Sequence, residues 1–130
     1  MPQFPMTPSR EKILARLPDY AVEIEAANAR VTVSHHGTVI AESTRALTVK
    51  ETKHADVYYL PRDDINMNLF TATDHSTYCP FKGHASYWNL DVNKQHENNV
   101  VWSYESPYAE VEKLKGYMSF YTDRTRVQSD

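Results

Sequence analysis

The chain has 130 residues, 41% of them hydrophobic and 24% charged, with a formal net charge of -3, which suits one soluble globular domain able to bury a core without covalent staples. Its 14 Lys and Arg residues are scattered, and without a basic stripe to track a phosphate backbone the expected partners do not include nucleic acid. One cysteine cannot close an intrachain disulfide, no positively charged start precedes an apolar run, and no apolar stretch nears the roughly 20 residues of a spanning helix, so the expectation is cytoplasmic residence with no membrane partner.

Residues 1–6 read as a loose lead-in, and 7–127 as the domain. Thr7-Pro8 has the form of an N-cap followed by proline at the first helical position. It opens a short helix to Leu17, whose Ile13, Leu14 and Leu17 make a packing patch before Pro18 stops it. From Tyr20 the period becomes two. Val22, Ile24 and Ala26 alternate with Glu23 and Glu25, and Val31 and Val33 with Thr32 and Ser34, so both runs predict strands. His36-Gly37 supplies a turn into Thr38 to Ala41, and Ala46 to Lys50 and Val57 to Leu60 predict further strands, the latter ended by Pro61-Arg62-Asp63-Asp64. Met67 to Thr73 is compatible with a turn or a short helix. His84 to Val92 alternates, with Ser86, Trp88, Leu90 and Val92 toward the core and Tyr87 away from it. A polar hairpin loop over 93–99, a strand over Val100 to Tyr104, a helix opened by Ser106-Pro107 and closed near Gly116, and a strand over Tyr117 to Tyr121 complete the pattern. The tail 128–130 is expected to fray. The sum is a mainly β fold with a short helix near each end.

The segment that draws attention to chemistry is Cys79-Pro80-Phe81-Lys82-Gly83. A thiol three residues from an ammonium can be pushed toward thiolate, and proline and glycine permit backbone turns that aim both side chains into one cleft.

The run Cys79 to Trp88 together with Val57 to Asp64, Ser43 to Glu51, Trp102 to Pro107 and Gly116 to Tyr121 resembles, in order, the domain-of-unknown-function family 427. That resemblance implies a β-tent, two antiparallel sheets meeting at an angle. Relatives of that fold often hold zinc on paired Cys-x-x-Cys knuckles, which a single cysteine cannot build. The family also carries a nucleotidyltransferase label, but Asp63 and Asp64 are adjacent, and neighbouring strand residues point to opposite faces, unlike a pair that grips Mg²⁺ together.

On these grounds the candidate catalytic residues are Cys79, as nucleophile or redox thiol, and Lys82, as anion anchor or acid-base group. Burial as an inert thiol competes for Cys79, and an exposed turn position for Lys82. Tyr87, Tyr59, Trp102 and Tyr104 are candidate ligand contacts through their aromatic faces, Gly83 through its amide, and Arg45 through its guanidinium. Core and sheet packing is the rival for these aromatic residues, Trp102 above all, and an ion pair at a sheet corner for Arg45. His75, Cys79 and His84 follow no zinc spacing, so no metal is expected and no cofactor is assigned. The expected function is a small-molecule cleft acting on an anionic metabolite through Cys79 and Lys82. The alternatives are a noncatalytic binding module, an interaction domain without a pocket and a nucleotidyltransferase. Oligomeric state is not legible.

Overall fold

A computed structural model describes residues 6–130, with side chains from Arg10 onward. Helix α1 spans Met6–Arg16. The expected lead over residues 1–6 and the Thr7 side chain therefore lie outside the described residues, except that Met6 already belongs to the helix. Arg10 docks α1 on the body: its Nε donates to the Pro80 carbonyl at 2.7 Å, and its guanidinium lies 3.8 Å from the Tyr108 ring centre. Leu17, expected to pack, is 45% exposed just beyond the helix.

Ten strands follow: β1 Val22–Ala26, β2 Val31–His35, β3 Thr38–Ser43, β4 Leu47–Glu51, β5 Val57–Tyr59, β6 Phe70–Cys79, β7 Gly83–Val92, β8 Gln95–Ser103, β9 Met118–Phe120 and β10 Arg126–Ser129. All pairings are antiparallel, in the orders β1-β4-β5, β10-β2-β3 and β6-β7-β8-β9. Leu60, just after β5, pairs with Met118 through two backbone hydrogen bonds of 2.8 and 2.9 Å. The first sheet thus continues into the third, leaving two hydrogen-bonded surfaces, and the mainly β expectation holds.

Strand alternation explains how β7 serves two cores. Trp88, Leu90 and Val92 enter a cluster with Val31, Val33, Ile40, Leu60, Val101 and Met118. Ala85 and Tyr87, on the opposite face, enter a second cluster with Val49, Tyr59, Tyr104, Val111 and Leu114. A strand buried on both faces needs apolar residues in both registers, and Trp88 takes the core position its alternation predicts.

Several local expectations are corrected. Residues 67–69 form a short 3-10 turn, but Phe70 begins a ten-residue strand whose polar run is tolerated because β6 is a sheet edge. The loop expected over 93–99 shrinks to Asn93-Lys94, both at positive φ as a tight primed turn requires, and Gln95 already belongs to β8. The second helix is a 3-10 segment, Ala109–Leu114, kinked at Val111, and no side chain caps it. The tail expected to fray is paired in the structure: Val127 to Ser129 of β10 pair with Val33 to Val31, and the Asp130 amide donates to the Arg30 carbonyl at 2.9 Å.

Candidate functional site

The turn Pro80 to Lys82 joins β6 to β7, with Cys79 opposite Gly83 and the Lys82 amide donating to the Cys79 carbonyl at 3.2 Å. Gly83 has φ of +117°, a conformation side chains rarely adopt, and a Cβ there would stand 3.5–3.7 Å from the backbone of Ser106, Pro107 and Tyr108. Tyr108 donates its amide to the Lys82 carbonyl at 3.0 Å. The hairpin tip is therefore held from outside, and Lys82 is turned inward. It is 7% exposed.

Inward of the tip is a cleft of about 450 Å³. Cys79 and Lys82 line it with Tyr59, Tyr87, Trp102 and Tyr104, and with Tyr20, Glu51, His54, Tyr78, Phe81 and Tyr121. The Lys82 ammonium donates to Oε1 of Glu51, at the end of β4, while the Tyr20 hydroxyl donates to Oε2 of the same carboxylate. Tyr20 itself is stacked on Phe81, ring centres 3.9 Å apart. Lys82 Nζ also stands 6.0 Å from the Tyr104 ring centre, at the outer reach of a cation-π contact. On the far wall the Trp102 indole donates to the Tyr59 hydroxyl at 3.0 Å, and the hydroxyls of Tyr87 and Thr77 share a hydrogen bond of 2.8 Å.

The electrostatics follow from this packing. Burial pulls the Glu51 carboxyl upward, but the hydrogen bonds and charge of Lys82 and the hydrogen bond from Tyr20 outweigh it, so its pKa lies below the usual value. Burial pushes the phenols of Tyr59 and Tyr104 far above their ordinary range. An ionised Cys79 would raise both further, as it would Tyr20. These hydroxyls are therefore neutral hydrogen-bonding groups at neutral pH. Burial and the neighbouring Tyr87 likewise push Tyr121 up to about 12.

Six of the sequence candidates thus meet in one cleft, and two do not. Arg45 forms a two-point fork with Asp64, Nε to Oδ2 at 3.3 Å and Nη2 to Oδ1 at 2.9 Å, while Ser43 donates to the same Oδ2 at 2.5 Å. The sheet-corner ion pair accounts for it. Arg45→Ala is expected to leave the affinity of any cleft ligand within about twofold of wild type, because distant sites with no shared partners act independently; titration calorimetry checks this. Gly83 shapes the turn but does not line the cleft. His75 packs on the Tyr87 ring at 4.5 Å between centres and His84 on Tyr78 at 4.9 Å, so neither is drawn to Cys79 as a ligand set.

Glu51 is the principal residue that local sequence reasoning did not place in the site. Its signal was present, since it closes one of the blocks shared with the family, but nothing local says that it faces Lys82. Tyr20, Tyr78, Phe81 and Tyr121 were likewise given no role, although Phe81 lies inside the Cys79 to Gly83 segment and Tyr121 closes a block shared with the family.

A family model described as a domain of unknown function, DUF427, matches residues 23–130. That span includes every lining residue of the cleft except Tyr20. None of the curated proteins searched matches the chain.

Proposed function

The chain belongs to the DUF427 family, and from that premise we propose that it is a small-molecule-binding domain whose ligand enters the tyrosine-lined cleft and meets the Lys82–Glu51 pair. The observation that carries this reading is a buried ion pair on the wall of a cavity. Well-packed apolar residues can replace such a pair at no loss of stability, so its presence points to a use other than holding the fold. A volume of about 450 Å³ lies within the range of small-molecule sites, which are mostly apolar with a few fixed polar groups.

Glu51 also revises the ligand class expected from sequence. With Lys82 already neutralised, a carboxylate or phosphate has to compete with Glu51 for the ammonium. A neutral oxygen does not, because an ammonium has three donors and Glu51 takes one. The site therefore favours a planar ligand that stacks on the partly exposed aromatics Tyr78, Trp102 and Tyr121 and presents a carbonyl or amide oxygen to Lys82.

A second reading, in which Cys79 attacks or is oxidised by the bound molecule, is favoured by its half-buried place in the same wall. Alkylation separates the two: a catalytic thiol reacts in the folded protein and is shielded by ligand, whereas a packed thiol resists throughout. A cleft lined by both Lys82 and Tyr87 supports either reading over a domain without a pocket. Nucleotidyl transfer has less support, since Asp64 is taken up by Arg45 and Ser43 outside the cleft.

The test is a thermal-shift screen of planar metabolites in neutral and anionic series. Wild type is expected to gain unfolding temperature with neutral oxygen acceptors, and the gain is expected to vanish in Lys82→Met/Glu51→Leu. A hit that survives in the double variant would move the binding site elsewhere, and hits confined to the anionic series would return the ligand class to anions.

A further inference from the structure

Away from the cleft, three metal-ligating side chains meet where the β2–β3 hairpin turns. One imidazole nitrogen each from His35 and His36 and one carboxylate oxygen of Glu97 lie within 4.8 Å of one another, the only such group among the described residues. Consecutive strand residues normally point to opposite faces, which would separate adjacent histidines. Here His36 has φ of 47° and Gly37 of 86°, a tight primed turn that swings the second ring back against the first. The ring centres stand 4.3 Å apart at 88°.

His35 is the unusual member. It is 1% exposed, its Nε2 lies 2.9 Å from Oε2 of Glu97 on β8, and its Nδ1 is buried with no hydrogen-bond partner. The nitrogen that faces Glu97 is Nε2, so an ion shared with Glu97 would bind there and exchange the hydrogen bond for coordination. His36 and Glu97 also line a cavity of about 700 Å³, larger than the cleft and bordered by Asp123 and Arg124.

We propose that His35, His36 and Glu97 form a binding site for a divalent first-row transition ion such as Zn²⁺. Two imidazoles and one carboxylate are a donor set that zinc and ferrous iron accept, with a remaining position open to water or ligand from the cavity. Donors on a four-coordinate ion with bonds of about 2.0–2.1 Å stand about 3.4 Å apart, so binding draws the ligands together. Exposed His36, on a two-residue turn, is the member free to move.

The rival is a plain structural His35–Glu97 hydrogen bond with His36 nearby by accident. Tag-free protein stripped with chelator and titrated with CoCl₂, followed by visible absorption, distinguishes them. Saturable uptake of one equivalent, with ligand-field bands abolished by ZnCl₂, is expected. His36→Asn is the informative variant, because asparagine before Gly37 suits the primed turn and leaves His35–Glu97 intact. It is expected to weaken Co²⁺ binding at least about tenfold, as is Glu97→Gln, with far-UV circular dichroism unchanged. No Co²⁺ uptake by wild type, or uptake undiminished in His36→Asn, would overturn the proposal.

Discussion

Replacing Lys82 with methionine is expected to destabilise the protein by about 2–4 kcal/mol, and adding Glu51→Leu is expected to recover most of that loss. Removing one partner of a buried pair costs about 3–5 kcal/mol because it leaves the other charge uncompensated. The lower range applies here because the Glu51 side chain keeps 14% exposure and the Tyr20 hydrogen bond remains. Loss of both charges removes that penalty, leaving a packing difference. Urea unfolding of wild type and the two variants at neutral pH measures all three.

Acid adds an independent check of the same pair. The folded-state pKa of Glu51 is lowered from 4.5, so folding favours its ionised form. The contribution of the pair is then fully present above the unfolded value and is lost as pH falls through the folded one. Wild type should therefore lose stability below about pH 4.5 more steeply than Lys82→Met/Glu51→Leu. Parallel acid profiles would show that the pair carries no such linkage.

The core strands were legible because alternation encodes which face is buried. Val31 and Val33 marked β2, and Trp88, Leu90 and Val92 marked the core face of β7. Strands without a buried face left no such trace. Between Thr71 and Thr77, β6 offers mostly exposed polar residues, and β10 has only Val127 partly buried in its short span. Their order comes from backbone pairing with β7 and β2, which local pattern does not express.

The site divides in the same way. Cys79, Lys82 and Tyr87 lie on one hairpin, so a segment of sequence could bring them together. Glu51 is 31 residues from Lys82 and belongs to another strand, so its arrival depends on how sheets join. Arg45 illustrates the converse: a residue type suited to ligand recognition was satisfied instead by Asp64, 19 residues on. Whether a charge is available or already paired is decided by tertiary structure.

Leu60→Ala is expected to cost about 2–5 kcal/mol, the range for truncating a buried leucine when the surroundings only partly collapse. Leu60 has no exposed surface and lies in the same cluster as Leu90, Val101 and Met118. Its backbone bonds to Met118 survive the change, so the loss measures side-chain packing at the seam. Leu60→Met, close in volume, should cost less than about 1.5 kcal/mol. The position matters beyond stability because this seam joins β5, neighbour of the strand that ends in Glu51, to β9, in the sheet that carries Cys79 and Lys82. If it sets the distance between the two walls, Leu60→Ala should weaken cleft binding in step with stability, and Met118→Ala should combine with it non-additively. Urea unfolding and ligand titration on the single and double variants test this together. Binding unchanged in a destabilised Leu60→Ala protein would show that the Lys82–Glu51 contact, and not the seam beneath it, holds the cleft in shape.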